Sequence, residues 1–325
     1  MLISTIMEEQ RRTTAWIVVA LVALVVAPRL LDPGSVITLI TVLMYATLTL
    51  SWTMFSGPSG YVSLATAALF GAGTYTSAVL RGTLPIEIIV LIGGLVAFLL
   101  ALGVGVLTLR LRGVYFILFT FGVTALIRNV VQWWETHVTN TVGRSIQGAT
   151  NETVYLLISI IFAATLVTAF LLRHSTVGMA LGGIGGNEDA AEHVGVPVTR
   201  IKVLAFAVSA VFMGMTGAVM ATRWRYVDPS IAFNPLLSFL PVVMAIFGGT
   251  SRLYGPLLGT AVLVVLQEFL ITEYPYVYLL LFGLTLVVVV VYLPGGLVVL
   301  AERWAGRARG RWGSFRMQIR ERWSR

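Results

Sequence analysis

Positions 33–80 contain no Asp, Glu, Lys or Arg, and several apolar runs elsewhere pass the ~18 residues that mark a membrane-spanning helix. In lipid every backbone N–H and C=O must be satisfied within the protein, which leaves helices or a closed barrel. No segment alternates apolar and polar residues at every second position, as barrel strands would. The expectation is an all-α integral membrane protein. Composition agrees: 58% of residues are apolar and 11% charged, against about a quarter charged in soluble domains. With no Cys, disulfides and thiolate metal sites are excluded. The net charge of +8 collects at helix ends and in the tail, where it reads as a topology signal and not as a nucleic-acid footprint.

The apolar runs predict about ten transmembrane helices, at 15–31, 36–55, 61–80, 86–109, 114–131, 153–172, 203–222, 236–248, 257–271 and 276–293. The first is expected to be retained, because its apolar run ends at Pro28 and Arg29 with no small-x-small cleavage site. Residues 1–14 then form a short N-terminus, 15–300 the membrane domain and 301–325 a basic tail. With the N-terminus in the cytoplasm, sixteen of the Lys and Arg residues lie inside and six outside, which is the expected bias. Both termini are therefore expected to be cytoplasmic. Spans two to five and seven to ten form two four-helix blocks of opposite starting side around the sixth, which suggests an inverted repeat of the kind found in transporters.

One polar stretch, 173–202, interrupts the hydrocarbon in the second half. Within it, Asn187 is a good N-cap, and Glu188 and Asp189 suit the positive end of a helix dipole. Gly195 suits the position just past a helix end, and Pro197 prevents the helix resuming. The prediction is a two-turn helix over 188–194 with Ala190, Ala191 and Val194 as its small apolar face. A helix this short is marginal alone. It is either a connecting turn or a plug that seats in a groove of a soluble partner.

Three further segments stand out. GPSGYVSLATAALFGAGTY at 57–75 is rich in small residues. Those residues permit close helix packing, and Gly57, Pro58, Ser59 and Gly60 also invite a broken helix, tolerable only where it is covered or lines a cavity. Gly60, Ser63, Thr66 and Tyr75 are candidates for a translocation path there, with Gly57. LRGVYFILFT at 111–120 adds Tyr115 and Thr120; Arg110 and Arg112 read as interfacial anchors. In the ninth span Glu268 needs hydration or a partner, for which Arg128 is the candidate, or else both reach the outer interface. Lys202 is the only Lys and no Gly-rich loop precedes it, so a phosphate-binding Walker loop is absent. His137, His174 and His193 lack metal-ligand spacing. No enzyme constellation is present.

Taken together these stretches resemble the permease subunits of bacterial ABC importers for branched-chain amino acids, from about residue 36 to 297. The resemblance rests on an ordered set: the 57–75 segment, LRGVYF at 111–116, NEDAAEHVG at 187–195 and AFAVSA at 205–210. It continues with Asp228, Pro229, Phe233 and Ser238, then GGTSRLYGP at 248–256 and PGGL at 294–297. It implies that residues 15–300 are a permease domain and that Asn187, Glu188, Asp189, Ala190, Ala191, Glu192, Val194 and Gly195 form a cytoplasmic coupling helix docked on an ATPase. Ser238 joins the path candidates. The implied assembly has a second permease subunit, two ATPase subunits that use ATP and Mg, and a periplasmic or lipid-anchored binding protein, in the inner membrane. The implied cargo is leucine, isoleucine and valine. Urea and aromatic or other small organic acids are carried by relatives in the same family. Two positions depart from the family pattern: Gly185 and Gly186 replace a charged pair, and Ala65 and Thr66 replace Gly-His. An ion-coupled secondary carrier is the rival of another class, and its weakness is that it needs carboxylates near the midplane, for which Glu268, off-centre in its span, is the only candidate.

Overall fold

The computed structural model describes residues 32–298 apart from 142, 279, 285, 286 and 288–295. The expected first span, both terminal segments and most of the tenth span lie outside the described residues. Eleven helices are described: α1 Pro33–Ser59, α2 Thr66–Leu80, α3 Ile86–Thr108, α4 Val114–Trp134, α5 Asn151–Arg173, α6 Thr176–Gly186, α7 Glu188–His193, α8 Val198–Trp224, α9 Pro229–Ala232, α10 Leu236–Gly248 and α11 Tyr254–Glu273. Two-residue strands β1 Arg144–Ser145 and β2 Tyr226–Val227 pair antiparallel. The protein is an all-helical membrane protein, and seven of its described helical segments are long and apolar enough to cross a bilayer. That is fewer than the ten expected.

The shortfall inside the described region is α2. Its 15 residues reach only about 22 Å at ~1.5 Å per residue, short of the ~30 Å hydrocarbon core. The non-helical segment 60–65 precedes it and supplies the remaining length. The expected break at Gly57 to Gly60 therefore falls later. Helix α1 runs on through Pro58 to Ser59. The missing N–H of Pro58 costs one bond in the last turn, and Gly60, at φ +71°, closes that turn by donating to Ser56 O.

Helix α8 is the centre of the bundle, and its residues are buried along most of its length. Its neighbours α2 and α3 meet it through glycines. A Cβ on Gly73 would lie 1.9 Å from Gly214 O, and one on Gly217 would lie 2.0 Å from Phe70 O. In lipid such backbone approach supplies the packing that burial from water supplies elsewhere. Around this centre α3, α4, α5 and α11 turn apolar residues outward, among them Leu91, Leu95, Leu118, Leu126, Ile160 and Val265.

Two further expectations change. The segment between the expected spans 114–131 and 153–172 is not plain connection: α4 extends to Trp134, widens into a π-turn over Glu135–Thr139, and leads into β1. Residues 176–186, read as plain polar connection, form α6. Its glycines argue against a helix by propensity, but Ser175 caps it by accepting from Gly178 N. Packing then decides the matter: a Cβ on Gly185 would lie 2.2 Å from Pro58 O, so α6 rests directly on the end of α1.

Candidate functional site

The helix predicted over 188–194 is present as α7, one residue shorter than predicted. Asn187 Oδ1 accepts from Ala190 N at 3.0 Å, the expected N-cap. At the other end Gly195 sits at φ +86°. Its N–H donates to Glu192 O at 2.9 Å and Val196 N donates to Ala191 O at 3.1 Å, the paired bonds of a Schellman closure. The expected apolar face divides in two. Ala191 is 7% exposed and packs inward with Ile184 and Val198. Ala190 points outward, and Val194, 81% exposed, does the same. Asp189, Glu192 and His193 share the exposed side.

Beneath α7 lies a charged cluster that joins four parts of the chain. Lys202, in the first turns of α8, is 1% exposed. Its Nζ donates to Glu188 Oε1 at 2.8 Å, to Leu109 O at 3.0 Å and to Tyr61 Oη at 3.2 Å. It also lies 4.4 Å from the centre of the Tyr61 ring. The Tyr61 hydroxyl donates to the second Glu188 oxygen. Arg112 reaches in from the α3–α4 turn, 2.9 Å from Asp189 and 3.8 Å from Glu188, so it is more than the interfacial anchor expected. Burial works against the Glu188 charge. The hydrogen bonds from Lys202 and Tyr61, with the Lys202 and Arg112 charges, outweigh it and hold this carboxyl below the usual glutamate range.

From Tyr61 the chain enters the bundle without helical bonding, and side chains complete its backbone. Trp52 Nε1 donates to Ser63 O at 2.8 Å. Leu64 N donates to Thr120 Oγ1 at 3.0 Å. Ser238 Oγ donates to Leu64 O at 2.7 Å and accepts from Ala67 N at 3.0 Å. Thr124 Oγ1 also donates to Leu64 O, at 3.3 Å. Broken backbone at membrane depth survives only with such cover, and the hydroxyls of α4 and α10 provide it.

Of the path candidates, Gly60, Ser63, Thr66, Thr120 and Ser238 therefore gather on or around this segment. Ser63, Thr66, Thr120 and Ser238 are buried, and Thr66 Oγ1 has no hydrogen-bond partner. Gly57 lies just below, with Thr53, Pro58, Arg173 and Arg252, on a cavity of about 180 Å³ between α1, α5, α6 and the α10–α11 turn. Tyr75 is apart, near the opposite end of α2, stacked on Phe233 at 5.6 Å between ring centres. Tyr115 is 75% exposed at the start of α4. Glu268 is exposed on α11, and among the described residues no ion pair joins it to Arg128.

Sequence reasoning missed the role of Lys202, which it counted only as a topology charge. The available signal was a single Lys one residue before an apolar run, and so near the membrane. It also missed Glu135 and Arg144 at the end of the bundle opposite α7. There Arg144 lies 3.6 Å from the buried Glu135 carboxylate and 5.0 Å from the Trp134 ring centre. Glu135 Oε2 accepts from Gly143 N at 3.2 Å.

The site thus has a capped helix at one end, broken backbone inside, and an ion cluster between them. A family model described as the permease component of branched-chain amino acid transport systems matches residues 35–290. The LivM permease protein of the Salmonella typhimurium high-affinity branched-chain amino acid transport system is 25% identical over 319 residues, 87% of this chain and 74% of that one. Its Escherichia coli counterpart is 26% identical over 87% of this chain and 75% of that protein. The ribose import permease RbsC of Haemophilus influenzae is 29% identical over a third of each chain. No solved structure gives a significant match. With most of its length inside the matched region, the chain belongs to the family of permease components of branched-chain amino acid transport systems.

Proposed function

We propose that this chain is a membrane subunit of an ATP-driven importer that carries leucine, isoleucine and valine across the inner membrane. It works beside a second permease subunit, with two ATPase subunits that use ATP and Mg and an external binding protein. Both termini are cytoplasmic, and α7 faces the cytoplasm. The observation that carries this reading is α7 itself. A helix of six residues has almost no stability of its own, yet it is capped at both ends and ion-paired to the bundle. Its outer face, with Ala190 and Val194, is left open. Small side chains on a firmly held helix suit a groove in a soluble partner.

The test is co-expression with the ATPase and binding protein of the same system. Affinity purification of this chain is expected to bring the ATPase with it, and membrane vesicles are expected to take up labelled leucine only with ATP. Uptake driven by an ion gradient without ATPase would refute the reading. A second cargo has specific support: ribose and arabinose permeases match about a third of the chain. Labelled ribose in the same vesicles decides between them, and leucine without ribose uptake is the expected result.

A further inference from the structure

We propose that Lys202 is the positioning residue that ties the ATPase-driven movement of α7 to the broken backbone at 60–65. This rests on the reading of α7 as the docking element.

The geometry is specific. An ammonium has three donors, and those of Lys202 go to three different parts of the chain. They reach Glu188 on α7, the Leu109 carbonyl at the end of α3, and the Tyr61 hydroxyl on the non-helical segment. Tyr61 also donates to Glu188, so the three side chains close a triangle. Each partner is already committed to its own element. Lys202 sits on α8, whose central residues are locked by glycine contacts with α2 and α3. The Tyr61 ring packs edge-on against Phe116 at 5.3 Å and near Phe55 at 6.5 Å. Asn187 and Gly195 hold Glu188 in a capped helix.

Such a triangle cannot open cheaply. A charge withdrawn from water is tolerated while its partner stays in place and becomes costly when the partner leaves. If a partner protein displaces α7, Glu188 must carry Lys202 and Tyr61 with it or strand a buried ammonium. Tyr61 is the compliant member, because it belongs to a segment with no helical bonding of its own. Its movement reaches Leu64, whose N–H and C=O rest on Thr120 and Ser238. The Arg112–Asp189 pair cannot serve instead. Both side chains are more than half exposed, and water and salt screen such pairs.

The test uses the complete complex with its ATPase and binding protein, and labelled leucine as the probe. Lys202→Met alone would take from Glu188 its buried cationic partner, leaving only Tyr61 and the more distant Arg112, and could fail to fold. The decisive variant is therefore Lys202→Met with Glu188→Leu, an apolar replacement of the whole pair of the kind proteins tolerate. Tyr61→Phe, which keeps the ring and loses the hydroxyl, accompanies it, and Lys202→Arg is the conservative control. The readouts are membrane abundance, bound ATPase, leucine taken up per ATP hydrolysed, and ATP-dependent amide exchange at 60–65. The Glu188 side chain turns in toward Lys202, away from the open Ala190 and Val194 face, so normal abundance and bound ATPase are expected in the double variant, with uptake per ATP at least tenfold lower and no ATP-dependent exchange change at 60–65. Tyr61→Phe should lower uptake per ATP several-fold, and Lys202→Arg should recover part of it. Coupling within twofold of the parent protein in the double variant and in Tyr61→Phe would overturn the proposal. So would loss of ATPase binding in the double variant, which would make the triangle a docking support only. Should the double variant fail to accumulate, Tyr61→Phe decides alone. An unmodified chain that binds no ATPase would overturn the docking reading and this proposal together, an outcome distinct from the others.

Discussion

The hydroxyl of Ser238 on α10 bridges Leu64 O and Ala67 N across the break before α2, at 2.7 and 3.0 Å. One side chain thus finishes the backbone bonding of another helix's start. Ser238→Ala removes both bonds. Leu64 O keeps the longer bond from Thr124, while the Ala67 N–H is left buried without a partner. Such a loss costs about 1–3 kcal/mol. The variant is expected to melt earlier in detergent and to lose uptake, and Ser238→Thr, which retains the hydroxyl, should recover part of each.

Glycines in α6 should separate by what stands beside them. Gly185→Ala places a Cβ 2.2 Å from Pro58 O, a backbone atom that cannot swing away. Gly182→Ala meets nothing within 4 Å and gains about 0.5–1 kcal/mol of helix preference. The expected signs are opposite: Gly185→Ala lowers the melting temperature and Gly182→Ala leaves it equal or higher. Two melts in one detergent check this.

Docking and seating should also come apart on α7. Val194→Asp changes an exposed side chain, so chain stability should stay within about 0.5 kcal/mol while ATPase co-purification falls. Ala191→Arg forces a charge between Ile184 and Val198 and should lower both. Gly195→Val, at φ +86°, costs ~1 kcal/mol or more for its Cβ. Because α7 is short, that strain should fall on ATPase binding and leave membrane abundance normal. Normal uptake in Gly195→Val and Val194→Asp would make α7 a connector only.

Acid should unlock Glu188. Its folded-state pKa is depressed below the ordinary 4.5, so the unfolded chain binds the proton first as pH falls. The stabilisation is present above the ordinary value and is lost as pH drops through the folded one. Glu188→Gln is therefore expected to melt below the parent protein at pH 7, with the gap closing as pH falls below 4.5. Melts of both proteins from pH 7 to pH 3 measure it, and a gap that stays constant would contradict the ion cluster.

Much of this was readable in advance because lipid leaves a chain few choices. Apolar runs such as 86–109 and 153–172 became α3 and α5 almost to the residue. Asn187 and Gly195 marked α7 because caps are local chemistry. What could not be read depended on neighbours distant in sequence. Helix α6 looked unfavourable until Gly185 met Pro58. The break before α2 fell at 60–65 because Thr120 and Ser238 lie 56 and 171 residues away from their bonding partners and hold it there. Lys202 gave no local sign that the carbonyl of Leu109, 93 residues earlier, would accept its hydrogen bond. Strand β1 is two residues long, too short for any alternation to register.

At one level of the bundle, α2, α3 and α8 touch backbone to backbone. A Cβ on Gly214 would lie 2.5 Å from Gly93 O, and one on Gly73 would lie 1.9 Å from Gly214 O. Side chains elsewhere can change rotamer to let one helix slide past another, but here there is no rotamer to change. The three helices therefore turn about any axis as a single keel. Any movement between elements is then taken up in the parts that join the keel to its surroundings.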